Sequence, residues 1–69
     1  MNLKKIYAQL KAKAAEYIGT ENEHLIYDEW RIAMTLLAFL AFEPEDSETA
    51  AHFRPDLIAV LTRMNISSL

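Results

Sequence analysis

The sequence predicts an all-α protein, a small helical bundle of three main helices plus a short helical turn, in a single domain spanning residues 1–69. Two observations lead to this fold class. Turn-forming residues are scarce, because the 69 residues include one Gly and two Pro, too few for a many-stranded β domain. Apolar residues recur along the long segments at the three- and four-residue spacing of a helix. The 52% hydrophobic content is typical of a compact globule rather than a disordered chain.

The first helix is predicted over residues 3–18, where the apolar residues fall on one face. That face consists of Leu3, Ile6, Tyr7, Leu10, Ala14, Tyr17 and Ile18. Gly19 follows directly and can adopt the left-handed conformation that closes a helix. We therefore expect the first helix to end at Gly19.

The second helix is predicted to run from Glu21 to Phe42. Thr20 and Glu23 match a capping box, in which the Thr hydroxyl accepts a backbone N–H three residues later and the Glu carboxylate accepts the N–H of the Thr. Asp28 is an alternative N-cap, which would leave the preceding residues in a loop. The longer helix is favoured because no helix-breaking residue lies between Glu21 and Phe42.

Polar and apolar residues divide this helix into two halves. A polar stripe in the first half consists of His24, Asp28, Arg31 and Thr35. The spacing of Asp28 and Arg31 suits an ion pair. The second half, from Ile32 to Phe42, is an uncharged run of eleven residues, whereas a bilayer needs about 20. We therefore expect protein to surround this run on all sides.

A short acidic connector follows the second helix. Pro44 ends the helix, and either Asp46 or Ser47 can cap the segment that follows. Residues 47–53 are then expected to form the short helical turn.

The last helix is predicted to begin at Pro55. A proline restrains the residue before it, so Arg54 is expected to leave helical geometry, while Pro55 itself suits the first turn of a new helix. The inner face of this helix comprises Leu57, Val60, Leu61 and Met64. Asn65 is expected to begin an unravelling, Ser-rich tail.

Composition and charge argue against several classes of protein. Without Cys the chain has neither disulfides nor thiolate metal ligands. A net charge of −3 argues against a domain that binds polyanions with its whole surface. The lysine-bearing start lacks the continuous apolar segment of a signal peptide, so we expect a cytoplasmic protein with no membrane partner.

The lysines of the first helix support the alternative of a small nucleic-acid-associated regulator. Lys4, Lys5, Lys11 and Lys13 precede every acidic residue of the chain. Their helical positions surround the helix, whereas a stripe that follows phosphates would place them on one side. Nucleic-acid binding is therefore not expected, and binding that survives physiological salt would favour this alternative.

Catalysis, cofactors and metals are not expected either. Glu48 with His52, and His24 with Asp28, each offer at most two ligands on one helical face, whereas a metal needs three or four. One Gly excludes a Gly-rich phosphate loop, and the serines have no base motif near them. The sequence therefore predicts no catalytic residue and no bound group.

The candidate site lies where the second helix meets the acidic connector. Ala38 and Phe42, with Phe39 beside them, continue the face that is polar in the first half of the helix. The acidic residues immediately after them are Glu43, Glu45, Asp46 and Glu48. An apolar patch with an acidic rim can bind a basic, partly apolar surface. The alternative is that the following helices fold over both rings.

The function expected from these features is a non-enzymatic protein-interaction module, acting as an inhibitor, adaptor or regulator. Two forms are compatible. One is a homodimer, or another homo-oligomer, that finishes burying the second helix. The other binds a protein partner that has a basic surface through the acidic connector.

Overall fold

The computed structural model describes residues 1–67, apart from the side chains of residues 25 and 26. Three helices follow one another: α1 (Leu3–Tyr17), α2 (Glu23–Phe42) and α3 (Glu48–Arg63). This described part contains no strand. The predicted all-α bundle of three main helices is confirmed.

Helix α1 forms with most of the predicted inward face, but Tyr7 and Ile18, which were placed on that face, are exposed. The Asn2 side chain caps it by accepting the N–H of Lys5 at 3.1 Å. Ile6, Leu10 and Ala14 are buried, because their spacing places them together against α2. The helix ends at Tyr17, one residue earlier than predicted.

The turn between α1 and α2 differs from the predicted capping box. Gly19 has the expected positive φ of 84°. The Thr20 hydroxyl donates to the Tyr17 carbonyl at 2.6 Å and accepts the N–H of Asn22, not that of Glu23. The Glu23 carboxylate accepts the N–H of Gly19 at 3.1 Å. These bonds close α1 and form the turn, so α2 begins two residues later than predicted.

The longer version of the second helix is confirmed. Asp28 lies inside α2 and is not its N-cap. Ala33, Leu37 and Leu40 are buried, because α1 and α3 both pack against α2. The outer side of the same helix is open, and Ile32 is 43% exposed. The prediction that protein surrounds this segment on all sides is therefore wrong for the single chain.

Helix α3 is continuous through Pro55, so the predicted break at Arg54 is wrong. The separate short turn at residues 47–53 is the beginning of α3, and Ser47 caps it by accepting the N–H of Ala50 at 3.0 Å. An unbroken helix keeps Ala50 on the same buried face as Leu57. Burial of this face outweighs the one hydrogen bond that a proline cannot donate.

The chain after α3 turns back onto the core rather than unravelling at Asn65. Asn65 has a positive φ of 59°, and its N–H donates to the Thr62 carbonyl. The next N–H, that of Ile66, donates to the Leu61 carbonyl at 2.9 Å. This pair of bonds is a Schellman motif, and it explains why Ile66 is buried in the core.

Candidate protein-binding surface

The end of α2 exposes two aromatic rings to different extents. The Phe39 ring stacks on that of Phe53 in α3, with centroids 5.5 Å apart and an interplanar angle of 20°. One face of Phe39 is thereby covered, and the residue is 51% exposed. Phe42 is 89% exposed. The following helix therefore covers part of Phe39 and leaves Phe42 open.

The acidic cluster, defined as Glu43, Glu45, Asp46 and Glu48, follows Phe42 directly in the sequence, and two of its members, Glu43 and Glu45, line a cleft together with Arg54. Glu43 is the C-cap of α2 and is half-buried, whereas the other three are exposed. Within residues 1–67, no Lys or Arg lies within ion-pair distance of a carboxylate of this cluster. Their negative charge is therefore not neutralised by a direct contact.

Arg54 fixes the backbone of the acidic connector. Its guanidinium Nη2 donates to the Glu45 carbonyl oxygen at 2.8 Å. Since Arg54 belongs to α3, the connector is held against the third helix. The bond is made to the backbone, so it leaves the Glu45 carboxylate unpaired.

A shallow depression extends from the Phe rings along the outer side of α2. It is lined by Trp30, Arg31, Met34, Thr35, Ala38, Phe39 and Phe42. Four of these residues are spaced by four positions and form one row, which we call the outer row: Trp30, Met34, Ala38 and Phe42. The sequence analysis placed Ala38 and Phe42 on this face and did not single out Trp30 or Met34. Their regular spacing was the available signal, but it does not distinguish a covered row from an open one.

Trp30 connects the outer row to the core. Its indole Nε1–H donates to the Leu10 carbonyl of α1 at 3.1 Å, and the residue is only partly exposed. The row therefore begins at a side chain whose orientation is fixed by a hydrogen bond. It ends at Phe42, which is more exposed than the other large apolar residues that the structure describes.

The predicted polar stripe is exposed, but its predicted ion pair is absent. In the described part of the chain, the ion pairs are Lys13 with Glu16 and Arg63 with Glu29. The guanidinium of Arg31 therefore has no carboxylate at ion-pair distance within residues 1–67. It is the one charged residue among those that line the depression.

The other candidate features do not assemble a site. No group of three His, Asp or Glu residues able to hold a metal occurs among the described residues. On α1, Lys13 pairs with Glu16 at 3.8 Å and Lys11 lies over the Tyr7 ring at 4.7 Å. Neighbours on their own helix thus engage two of the four lysines.

A second apolar depression lies at the opposite end of the molecule, between α1 and the start of α2. It is lined by Ala14, Ile18, Glu23, Tyr27 and Trp30. Ile18 is 61% exposed and Tyr27 is 53% exposed. Glu21, Glu23 and Asp28 lie beside it, and none of them has an ion-pair partner among the described residues, although the Glu23 carboxylate accepts the N–H of Gly19.

Comparison with known proteins adds no relative from which a function could be transferred. No family model, curated protein or solved structure matches the chain. Across the described residues, none of the helices has both the length and the apolar character required to cross a membrane. Function is therefore inferred from the surface of the chain itself.

Proposed function

We propose that the protein is a non-enzymatic interaction module, an inhibitor, adaptor or regulator that binds a protein partner with a basic surface. The exposed end of α2 supplies the apolar contact through Phe39 and Phe42, and the acidic cluster supplies the charge. The observation that carries this proposal is the 89% exposure of Phe42, which is followed directly in the sequence by carboxylates that have no ion-pair partner among the described residues. The cytoplasm is the expected location.

The apolar part of this surface provides affinity. Burying a Phe side chain contributes about 1.5 to 3 kcal/mol, and nearly all of that gain is available at Phe42. Large aromatic side chains are common among the few residues that dominate binding energy. Phe39 is already held against Phe53, so its contribution is smaller but costs less conformational entropy.

The acidic cluster provides selectivity and speed of association. Exposed charges at the rim of an interface steer an oppositely charged partner and mainly change the association rate. Their effect is screened at high ionic strength, where the Debye length falls to about 3 Å at 1 M salt. A basic partner is therefore expected to associate more slowly as salt is added.

The proposal is tested by capturing binding proteins from the native host with the parent chain and with the double variant Phe39→Ser, Phe42→Ser. The captured partner is then purified and its Kd is measured by calorimetry. We expect the double variant to bind at least about 30-fold more weakly, which corresponds to roughly 2 kcal/mol. Ile58→Ser is the matched control, because Ile58 is an exposed apolar residue of α3 outside this surface.

A second variant tests the charges. Reversal of Glu45, Asp46 and Glu48 to Lys should slow association at low salt and should have little effect at high salt. The proposal is wrong if the Ser double variant keeps the parent's affinity, or if Ile58→Ser loses as much. Helical circular dichroism of each variant establishes that the chain still folds.

A further inference from the structure

The cavity between α1 and the start of α2 combines apolar and aromatic walls with one carboxylate. Ala14 and Ile18, one helical turn apart, form the α1 wall. Tyr27 and Trp30, likewise about one turn apart, form most of the α2 wall, and Glu23 is the remaining lining residue. Two aromatic residues and an acidic residue thus line the same small space.

The cavity has room for a group of about four heavy atoms. Its volume is about 90 Å³, whereas an apolar cavity of about 150 Å³ holds the six carbon atoms of benzene. A trimethylammonium head consists of one nitrogen and three methyl groups, so it matches this size. Ile18 and Tyr27 are both more than half exposed, so the cavity is open to solvent and the rest of a ligand can extend out of it.

Two of the lining side chains are held in place by hydrogen bonds. The indole Nε1–H of Trp30 donates to the Leu10 carbonyl at 3.1 Å. The Glu23 carboxylate accepts the N–H of Gly19 at 3.1 Å. A ligand that enters the cavity therefore meets an aromatic ring and a negative charge that are already positioned, which lowers the conformational entropy cost of binding.

The surroundings of the cavity are negatively charged. Glu21, Glu23 and Asp28 line an adjoining depression that shares Tyr27 with the cavity. No ion pair within residues 1–67 involves any of these three carboxylates. The carboxyl end of α1 and the amino end of α2 meet here, so their helix dipoles oppose each other. The acidic side chains therefore set the sign of the local potential.

From the size, the aromatic lining and the unpaired negative charge, we infer that this cavity binds a quaternary ammonium group, such as the head of choline or the side chain of a trimethylated lysine. Trp and Tyr rings attract such cations through the negative faces of their π systems. An apolar group of the same shape gains the contact but not this attraction. The acidic rim repels a ligand that also carries a phosphate, so choline is favoured over phosphocholine.

Trp30 provides a direct readout of binding, because it is the one Trp of the chain and lines the cavity. Choline added to the parent chain at constant ionic strength should change its fluorescence, with a Kd on the order of 1 mM for so small a ligand. The neutral alcohol dimethylbutanol, in which a tert-butyl group replaces the trimethylammonium head, should bind at least about fivefold more weakly. Phosphocholine should also bind more weakly than choline. Calorimetry checks each affinity without relying on fluorescence.

Substitutions at the cavity separate the aromatic contribution from the charge. Tyr27→Leu should weaken choline binding at least about fivefold, whereas Tyr27→Phe keeps the ring and should retain it. Tyr7→Leu is the matched control, because Tyr7 is an exposed tyrosine of α1 outside the cavity whose ring lies under Lys11. Glu23→Gln should weaken binding several-fold, since it removes the charge and keeps an oxygen that can accept the Gly19 N–H. Circular dichroism establishes that each variant folds.

Three results would overturn the ammonium site. One is an equal affinity for choline and dimethylbutanol, which would make the cavity a simple apolar notch. Another is an equal loss of choline binding in Tyr7→Leu and Tyr27→Leu. The third is the absence of both a fluorescence change and a heat signal with choline up to about 50 mM, a concentration well above the expected Kd.

A peptide that carries a trimethylated lysine distinguishes the two sources of the ammonium group. Binding of this peptide at least about tenfold more tightly than choline supports the site and identifies a modified protein as the source, whereas the reverse order supports the site and identifies a free small molecule. The cavity is independent of the proposed function, because it lies at the opposite end of the molecule from Phe42. The variant Phe39→Ser, Phe42→Ser should therefore lose the protein partner and keep the parent's affinity for choline.

Discussion

Replacing Pro55 with Ala should stabilise the protein, because Pro55 lies inside α3 and not at the start of a helix. A proline in a helix interior cannot donate the backbone N–H that would reach the carbonyl four residues earlier, that of Ala51. Pro55 is exposed, so the substitution removes no buried side chain. The folded state gains one hydrogen bond and loses nothing from the core.

The size of the effect follows from two opposing terms. Ala is favoured over Pro by about 3 kcal/mol in a helix interior. Replacing a proline also increases the conformational entropy of the unfolded chain, which lowers stability by about 0.4 to 1 kcal/mol. We therefore expect Pro55→Ala to raise the free energy of unfolding by about 2 kcal/mol. For a chain of this length that corresponds to roughly 8 to 16 °C in Tm.

Pro44 provides the matched control, because it is the other proline of the chain and lies between helices. Pro44→Ala gains no helical hydrogen bond, and its remaining effect is to increase the conformational entropy of the unfolded chain. It should therefore lower stability by about 0.4 to 1 kcal/mol. The two proline substitutions are thus expected to have opposite signs. Urea unfolding followed by circular dichroism, at one fixed protein concentration, measures both.

A loss of stability in Pro55→Ala would refute this reasoning. A proline at the first position of a helix is favourable, since its missing N–H would have no helical partner there. Destabilisation would therefore mean that the chain breaks at Arg54 and that a new helix starts at Pro55. Retention of the parent's stability to within about 0.3 kcal/mol would equally contradict a proline in the helix interior.

Three further substitutions probe packing, an interhelical bond and a helix end. Leu57→Ala should lower the free energy of unfolding by about 2 to 5 kcal/mol, because Leu57 is fully buried. The neighbouring residue Ile58 is exposed, so Ile58→Ala should lower it by under about 1 kcal/mol. Equal losses of stability in urea unfolding would be inconsistent with the faces assigned to the two residues. Trp30→Phe removes the hydrogen bond to the Leu10 carbonyl and should lower the free energy of unfolding by about 1 kcal/mol or more in the same assay. An unchanged urea midpoint would mean that this hydrogen bond contributes nothing to stability. Asn65→Gly should be neutral or stabilising, because φ is positive there, and a clear loss of Tm would speak against the Schellman motif.

Local rules were sufficient to predict which residues of α1 and α2 form the centre of the core. The periodic residues Ile6, Leu10 and Leu37 are buried as their spacing predicts, and Gly19 takes the left-handed conformation. Each of these features depends on residues within one or two helical turns. Sequence periodicity reports such short-range relations directly.

Local rules failed where the same residue could take part in either of two alternative local structures. The Thr20 hydroxyl could cap α2, but in the structure it donates to the last carbonyl of α1 and closes that helix instead. Pro55 is a local helix-starting signal, yet burial of the α3 face on both sides of it keeps the helix continuous. In both places the outcome depends on the relative free energies of two alternative structures, and the local sequence pattern does not give that difference.

The candidate site was only partly predictable for a related reason. Hydrophobicity shows that α2 is apolar around most of its circumference, but it does not show which faces the neighbouring helices cover. Sequence reasoning therefore identified Phe39 and Phe42 and left their exposure open. It placed Ala38 on the same face as Phe42 but did not single out Trp30 and Met34, because a helix that is apolar all round is normally buried all round.

The packing of α2 against both of its sequence neighbours has a consequence for how the chain folds. Two helical hairpins, one made with α1 and one with α3, share this helix, and both are closed by short connections. Chains dominated by contacts close in sequence fold within microseconds to milliseconds. Either hairpin can form first, so a substitution on the inward face of α1 should slow one of two parallel routes. A substitution such as Leu37→Ala, on the shared helix, should slow both.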